Sequence, residues 1–335
     1  MQKIHIAING FGRIGRTLFR LLRQHPSIEV VAINDLADIH TMAHLLKYDS
    51  IHGIFPEKIT HDDDHLLVGD LRVPYLQEAE IENIDWKALQ VDFVIEATGK
   101  RKTYSLLEPH LKQGAQKVIL SVPPEDNRIK TVVLGVNESI LDQDERIVSN
   151  ASCTTNNAAP MIQVLKELCG IEQAYITTIH SYNTDQSLHD QPHKDLRRAR
   201  GAAQSIIPTT TGAAKALTKI FPEYDGKIGG SGIRVPVPDG SLTDITCYVS
   251  RQVSIEEINA AFKKASETTL KGILDYTEDP IVSVDIIGNT HSCLFDAQLT
   301  SALDKMVKVV GWYDNEVGYS SRIIDLIYFM SKKQA

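Results

Sequence analysis

No run in the sequence approaches the roughly 18 apolar residues that a membrane-crossing helix needs. The opening Met1-Gln-Lys-Ile-His-Ile-Ala-Ile8 reads as a strand, without the charged and apolar regions of a secretory leader, so a cytoplasmic protein with no membrane partner is expected. Cysteine is scarce, four in 335 residues at 153, 169, 247 and 293. Their spacing fits no metal site, and so few thiols suit a reducing compartment. Excess positive charge is also missing. A formal net charge of −8 argues against nucleic acid as the main partner. Low-complexity segments and internal repeats are absent.

What remains is ordinary globular composition, 42% hydrophobic and 23% charged, in a chain long enough for two domains. Ile4 to Ile8 alternates as a strand. Gly10-Phe11-Gly12-Arg13-Ile14-Gly15 follows, then a helical pattern through Leu18, Leu21 and Leu22. Strand, G-x-G-x-x-G and helix in this order form a dinucleotide fingerprint, its glycines admitting a pyrophosphate to the helix N-terminus. A second strand, Ile28 to Ile33, ends at Asn34-Asp35, where an acidic residue meets ribose hydroxyls. A carboxylate about 4 Å from an added 2′-phosphate costs on the order of 4 kcal/mol at an effective dielectric of about 20. Leu36 rather than an arginine follows, so NAD is expected over NADP.

Strand patterns recur at Val91 to Ile95, Lys117 to Leu120, Thr131 to Leu134 and Arg146 to Val148. Alternation with helical or irregular segments predicts a doubly wound parallel sheet with ligands at its carboxyl edge. Asp35, Thr98, Ser121 and Cys153 all lie just past strand ends. His61-Asp-Asp-Asp-His65 has the look of a metal site, yet acidic hairpin turns are usually solvated, and no metal is expected. The second half differs. Tyr175 to His180 alternates, and β runs follow at Gly232 to Val237, Leu242 to Arg251, Ile281 to Ile287, Cys293 to Asp296 and Met306 to Trp312. One helix, Ser254 to about Thr269, opens with the capping box Ser254-x-x-Glu257. This predicts a mainly antiparallel sheet with helices on one face. The fold class expected is therefore α/β, an N-terminal Rossmann-type domain over 1–152 joined by a C-terminal helix 317–335, and an α+β catalytic domain over 153–316.

Cys153 sits where a strand turns into a helix bearing Ala158, Met161, Ile162, Leu165 and Leu168. Unpaired N–H groups and the helix dipole gather there and favour thiolate, which predicts a nucleophile. A small buried hydrophobe is the plainer alternative. His180 ends a strand and is either a packing residue or the base of a Cys–His pair. A cysteine hydrolase, with Asn315 as third member, would use the same pair, but the dinucleotide fold argues for aldehyde oxidation through a thiohemiacetal and thioester. Lys194, Arg197, Arg198 and Arg200 crowd one stretch, either a solvated patch or a pocket for a small anion.

Asn9-Gly-Phe-Gly-Arg-Ile-Gly-Arg16, Ser149-Asn-Ala-Ser-Cys-Thr-Thr-Asn156, Asp195-Leu-Arg-Arg-Ala-Arg200, Ser205-Ile-Ile-Pro-Thr-Thr-Thr-Gly-Ala-Ala-Lys215, Arg234-Val-Pro and Trp312-Tyr-Asp-Asn-Glu-Val-Gly-Tyr319 together resemble the phosphorylating glyceraldehyde-3-phosphate dehydrogenase family of bacterial type, over essentially the whole chain. The resemblance implies a glycolytic oxidoreductase, a cytoplasmic homotetramer that converts glyceraldehyde 3-phosphate, inorganic phosphate and NAD into 1,3-bisphosphoglycerate. It implies Cys153 as nucleophile and His180 as base. Gly10, Phe11, Gly12, Arg13, Ile14, Asp35, Thr98 and Ser121 would hold the nucleotide, and Asn315 the nicotinamide carboxamide. Arg197 and Arg234 would bind the two phosphates, helped by Ser152, Thr154, Thr211 and Gly212; Lys194 would attract anions or serve only the surface. Residues 181–206 correspond to the family's S-shaped loop, which packs across a tetramer interface. The alternatives are erythrose-4-phosphate dehydrogenase and a non-catalytic dinucleotide sensor.

Two positions depart from the family pattern. Asn183 stands where a threonine usually binds the substrate phosphate, and its amide still donates. Asn157 replaces a second cysteine found in many relatives, so an intramolecular bridge to Cys153 across that turn is excluded, and oxidation is expected to give a sulfenic acid or higher oxide.

Overall fold

The computed structural model describes residues 3–332 and resolves two compact units. The first comprises Met1–Val132, Ser139–Ala151 and Ser320–Ala335; the second, Val133–Glu138 and Ser152–Tyr319. Residues 333–335 of the expected C-terminal helix lie outside the described residues. The helix is present over Val317–Lys332.

In the first unit nine strands form one sheet in the order Lys130–Thr131, Ile147–Ser149, Lys117–Leu120, Phe93–Glu96, Ile4–Asn9, Ile28–Asn34, Leu71–Leu76, His65–Val68 and Ile59–His61. The first seven pair in parallel and the last two antiparallel. Phe93–Glu96 and Lys117–Leu120 are buried at every position, as strands covered on both faces must be. Ala7, Ala32, Val94, Val118, Leu107 and Trp86 join one core. The C-terminal helix docks on this unit through Tyr328, whose hydroxyl lies 2.8 Å from Ser27 Oγ, and through Met330 O, which accepts from Lys117 Nζ at 3.1 Å.

The second unit is built on a sheet ordered Ile207–Thr209, Ile228–Val235, Ile171–Ser181, Ser241–Val249, Met306–Tyr313, Cys293–Asp296 and Leu274–Thr277. Antiparallel pairings outnumber the two parallel ones, Ile171–Ser181 with Ile228–Val235 and Leu274–Thr277 with Cys293–Asp296. Along Ser241–Val249 buried residues alternate with more exposed ones, the mark of a sheet packed on one face. The helix Cys153–Cys169 covers that face. Gly311 permits the approach, since a Cβ there would stand 2.9 Å from Met161 Sδ and 2.6 Å from Cys293 Sγ.

Two strand expectations fail. Over Thr131 to Leu134 the strand is only Lys130–Thr131, because Asn137 Oδ1 takes the Val133 N–H (2.7 Å) and Gly135 turns the chain at φ 81°. Ile281 to Ile287 holds a 3₁₀ turn, Ser283–Ile286, with the Asp285 carboxylate accepting from Val282 N at 2.8 Å. Its valines, Val282 and Val284, face outward. Periodicity did not reveal the short strand Ile207–Thr209 or the helix Ala213–Ile220. The helix Ile255–Glu267 carries the expected capping box at Ser254 and Glu257. No helix among the described residues is long and apolar enough to cross a membrane.

Candidate active site

The chain leaves the strand Ile147–Ser149 through Ala151, held in the left-handed region at φ 57°. It enters the helix Cys153–Cys169 with Ser152 as N-cap, Ser152 Oγ accepting from Thr155 N at 3.2 Å. Cys153 is therefore the first helical residue. Across the unit His180 and Arg234 are Cα partners on adjacent parallel strands, which delivers both side chains to one place. Cys153 Sγ lies 3.4 Å from His180 Nε2. The Ser181 carbonyl lies 2.8 Å from His180 Nδ1 and also accepts from Arg234 Nη1 at 2.9 Å. Nδ1 thus faces an acceptor, the Ser181 carbonyl, and Nε2 is the ring nitrogen turned to the sulfur. Arg234 Nη1 also touches His180 Nδ1 directly.

Burial, reinforced by Arg234, holds the His180 imidazole down at about 3. Burial likewise pushes the Cys153 thiol up, against the opposing pull of Arg234 and the Thr154 N–H. Burial therefore opposes the thiolate that the helix N-terminus and Arg234 favour.

The phosphate residues divide. Arg197 is exposed; its backbone N–H donates to Asp195 Oδ1 (2.9 Å) and its carbonyl accepts from Arg200 N (3.3 Å). Its neighbour Arg198 is held by its side chain, with Nε on Thr209 Oγ1 (2.9 Å) and Nη1 on Asp185 Oδ2 (2.7 Å). Arg198 is near enough to help lower the His180 pKa. Through Asp185, Arg198 stands beside the Arg234 cluster. With its oxygen toward Arg234 Nη2 (3.3 Å), the Asn183 amide places its nitrogen on Asp185 Oδ1, so Asn183 and Asp185 link the two arginines. Thr211 Oγ1 accepts from Ala213 N (3.2 Å), and Gly212 faces open space. Thr154 Oγ1 lies 2.9 Å from the buried Tyr313 hydroxyl, which also meets Thr178 Oγ1 at 3.0 Å. Tyr313, Thr178 and Asp185 escaped the sequence reading, and Arg198 entered it only as one of a basic cluster. Only Thr178, two residues before His180 on the same strand face, carried a usable signal.

Asn315 is anchored through its oxygen, which accepts from Ser181 Oγ (2.9 Å) and Ser241 Oγ (2.7 Å). That fixes the amide with its N–H₂ end as the one left to a ligand.

In the first unit a cavity of about 470 Å³ opens at the carboxyl ends of the parallel strands, lined among others by Asn9, Gly10, Gly12, Asn34, Asp35 and Thr98. Gly10 and Gly12 of the fingerprint line it, as a nucleotide site of this fold requires. Gly10 adopts φ 98°, where a Cβ would strike Thr98 N at 2.6 Å; at Gly12 nothing stands within 4 Å; at Gly15 a Cβ would meet Gly10 O at 2.2 Å. Asp35 Oδ2 accepts from Phe11 N at 2.6 Å. Phe11 itself is core, and Arg13 pairs with Asp49 at 2.6 Å. Ser121 is buried at the end of its strand and is not among the residues lining the cavity.

Residues 4–104 match the profile of the glyceraldehyde 3-phosphate dehydrogenase NAD binding domain, and residues 152–315 that of the C-terminal domain. The chain belongs to the glyceraldehyde-3-phosphate dehydrogenase family. It is 52% identical over 333 residues to glyceraldehyde-3-phosphate dehydrogenase 2 of Streptomyces avermitilis, covering 98% of this chain and 99% of that protein. Identity to the Geobacillus stearothermophilus enzyme is 49% over 332 residues, again 98% and 99%. The Thermotoga maritima enzyme is 52% identical over 330 residues with the same coverage.

Proposed function

We propose that this protein is an NAD-dependent, phosphorylating glyceraldehyde-3-phosphate dehydrogenase. The approach of Cys153 Sγ to His180 Nε2 at 3.4 Å, with Arg234 beside them, carries the reading. Cys153 adds to the aldehyde carbon as its proton passes by way of Nε2 to the carbonyl oxygen, forming a thiohemiacetal. His180 Nε2 then takes the hydroxyl proton back as the hydride leaves and the carbonyl re-forms, giving a thioester on Cys153. NAD, when bound, supplies the hydride acceptor. Inorganic phosphate attacks the thioester carbon, the thiolate leaves, and 1,3-bisphosphoglycerate departs. Arg234 and Arg198 supply the donors for the two phosphates, guanidinium forks suiting two oxygens at once, and Asn183 positions them. Ser152, Thr154, Thr211 and Gly212 stand as secondary contacts.

Gly10, Gly12, Asp35 and Thr98 would hold the nucleotide and Asn315 the carboxamide. The protein would act in the cytoplasm as a homotetramer. Half-exposed Tyr175 and Tyr248 on the open sheet face, with exposed Leu196 and Ile206 on the loop, are surfaces that such an assembly covers. The deciding experiment follows NADH absorbance with purified protein, aldehyde and NAD, with and without phosphate. Phosphate-dependent NADH formation supports the proposal. A higher kcat/KM on erythrose 4-phosphate, or equal use of NADP, would overturn its substrate or cofactor half.

A further inference from the structure

Beneath the nucleotide cavity lies a chain of side chains that the proposed chemistry does not use. Glu96, at the end of the strand Phe93–Glu96, is fully buried, as is His110 on the helix Tyr104–Lys112. Every polar neighbour of the Glu96 carboxylate donates to it. Asn9 Nδ2 reaches Oε2 at 2.6 Å, Thr98 N reaches Oε1 at 3.0 Å, and the Thr98 hydroxyl also bonds Oε1. His110 Nε2 lies 3.2 Å from Oε2. Its tautomer is set from behind. Trp86 Nε1, which only donates, gives its proton to His110 Nδ1 at 3.1 Å, so Nε2 bears the hydrogen directed at Glu96.

The other branch is equally one-directional. Asn34 Oδ1 accepts from Glu78 N (2.9 Å), while Asn34 Nδ2 donates to Glu78 O (2.9 Å) and to Asn9 Oδ1 (2.7 Å). That orientation forces the Asn9 amide nitrogen onto Glu96. Four acceptor sites on two oxygens are thus filled by four donors, and no amide can turn without orphaning a buried group. Asn9, Asn34 and Thr98 also line the cavity, at the carboxyl ends of three neighbouring strands.

We infer that Glu96 is a positioning residue for the dinucleotide, the shared acceptor that holds Asn9, Asn34 and Thr98 in the arrangement the nucleotide meets. This rests on the NAD reading above. Glu96 is buried behind those residues and acts through them. A glutamine there keeps the shape but brings two N–H groups into a ring of donors, leaving either Thr98 N or the Asn9–His110 side without an acceptor.

Calorimetric titration of the assembled Glu96→Gln protein with NAD, beside steady-state kinetics, tests this. The dissociation constant is expected to rise about tenfold, with kcat at saturating NAD within about twofold, since the Cys153 cluster is untouched. A lower melting temperature with an unchanged NAD constant would make Glu96 a stability residue and overturn the inference. Should that variant fail to fold, Trp86→Phe provides the second arm. It lies outside the cavity and frees His110 to take the other tautomer, which removes one donor from Glu96. A two- to threefold weaker NAD constant is expected, and an unchanged one overturns the inference. Wild-type protein that binds no NAD in the same titration would remove the underlying reading, and the inference with it.

Discussion

Arg234 and His180 share one acceptor, the Ser181 carbonyl, because their strands pair in parallel with these two residues in register. The guanidinium therefore acts on the nucleophile pair even before any phosphate binds. It opposes the rise of the Cys153 thiol and keeps the imidazole neutral.

Alkylation by iodoacetamide reads this directly, since only thiolate reacts. The rate is expected to rise with pH to a midpoint above the ordinary thiol value of about 8.5. Arg234→Leu should move the midpoint higher still. A midpoint below 7 in the ligand-free protein would show that the helix dipole outweighs burial after all.

His180 also makes stability pH-dependent. Its folded value, about 3, lies below the unfolded value of about 6.5, so the unfolded chain binds a proton that the folded chain refuses. No cost arises above pH 6.5; below it, stability falls progressively toward pH 3. His180→Asn should flatten that part of the melting-temperature profile by an amount on the order of a few kcal/mol at the acid end. A profile identical in both proteins would contradict the neutral, buried imidazole.

Asp239 titrates with the opposite sign. Burial, with the Asp314 and Glu316 charges, pushes its carboxyl up to about 8. The folded state thus holds a proton that the unfolded state loses near pH 4, and stability declines as pH rises between those values. Asp239→Asn, a permanent neutral mimic, should melt higher than wild type at pH 8 and show less decline from pH 5. Equal melting temperatures at pH 8 would count against the assignment.

Arg197 and Arg198 offer a paired comparison. Arg198→Gln should raise the KM for aldehyde or phosphate about tenfold or more, whereas Arg197→Gln, at an exposed side chain, should stay within about twofold. The reverse ranking would restore the sequence expectation and displace the loop geometry described above.

Asn183 is expected to act through Arg234 and Asp185. Asn183→Ala should raise the substrate KM several-fold with a smaller change in kcat, and Asn183→Thr should recover much of it. An unchanged KM in the alanine variant removes Asn183 from the site.

The sequence by itself determined the local features. The glycine fingerprint and Asp35 depend on backbone clearances set within a few residues, and the octapeptide around Cys153 sets its own strand-to-helix junction. Apolar periodicity made the long buried strands readable, such as Phe93–Glu96 and Lys117–Leu120. It misled at Ile281 to Ile287, where Asp285 captures a backbone N–H and the valines turn outward.

Only the tertiary structure showed that Arg198 bonds Thr209 and Asp185, that Tyr313 joins Thr154 to Thr178, and that a buried carboxylate gathers Asn9, Thr98 and His110. It also buried the Cys153 thiol, which opposes the ionisation that the helix N-terminus favours. The physical reason is common to all four. Side-chain direction in a loop, pairing across strands and the desolvation of a charge depend on neighbours far along the chain, which residue spacing does not encode.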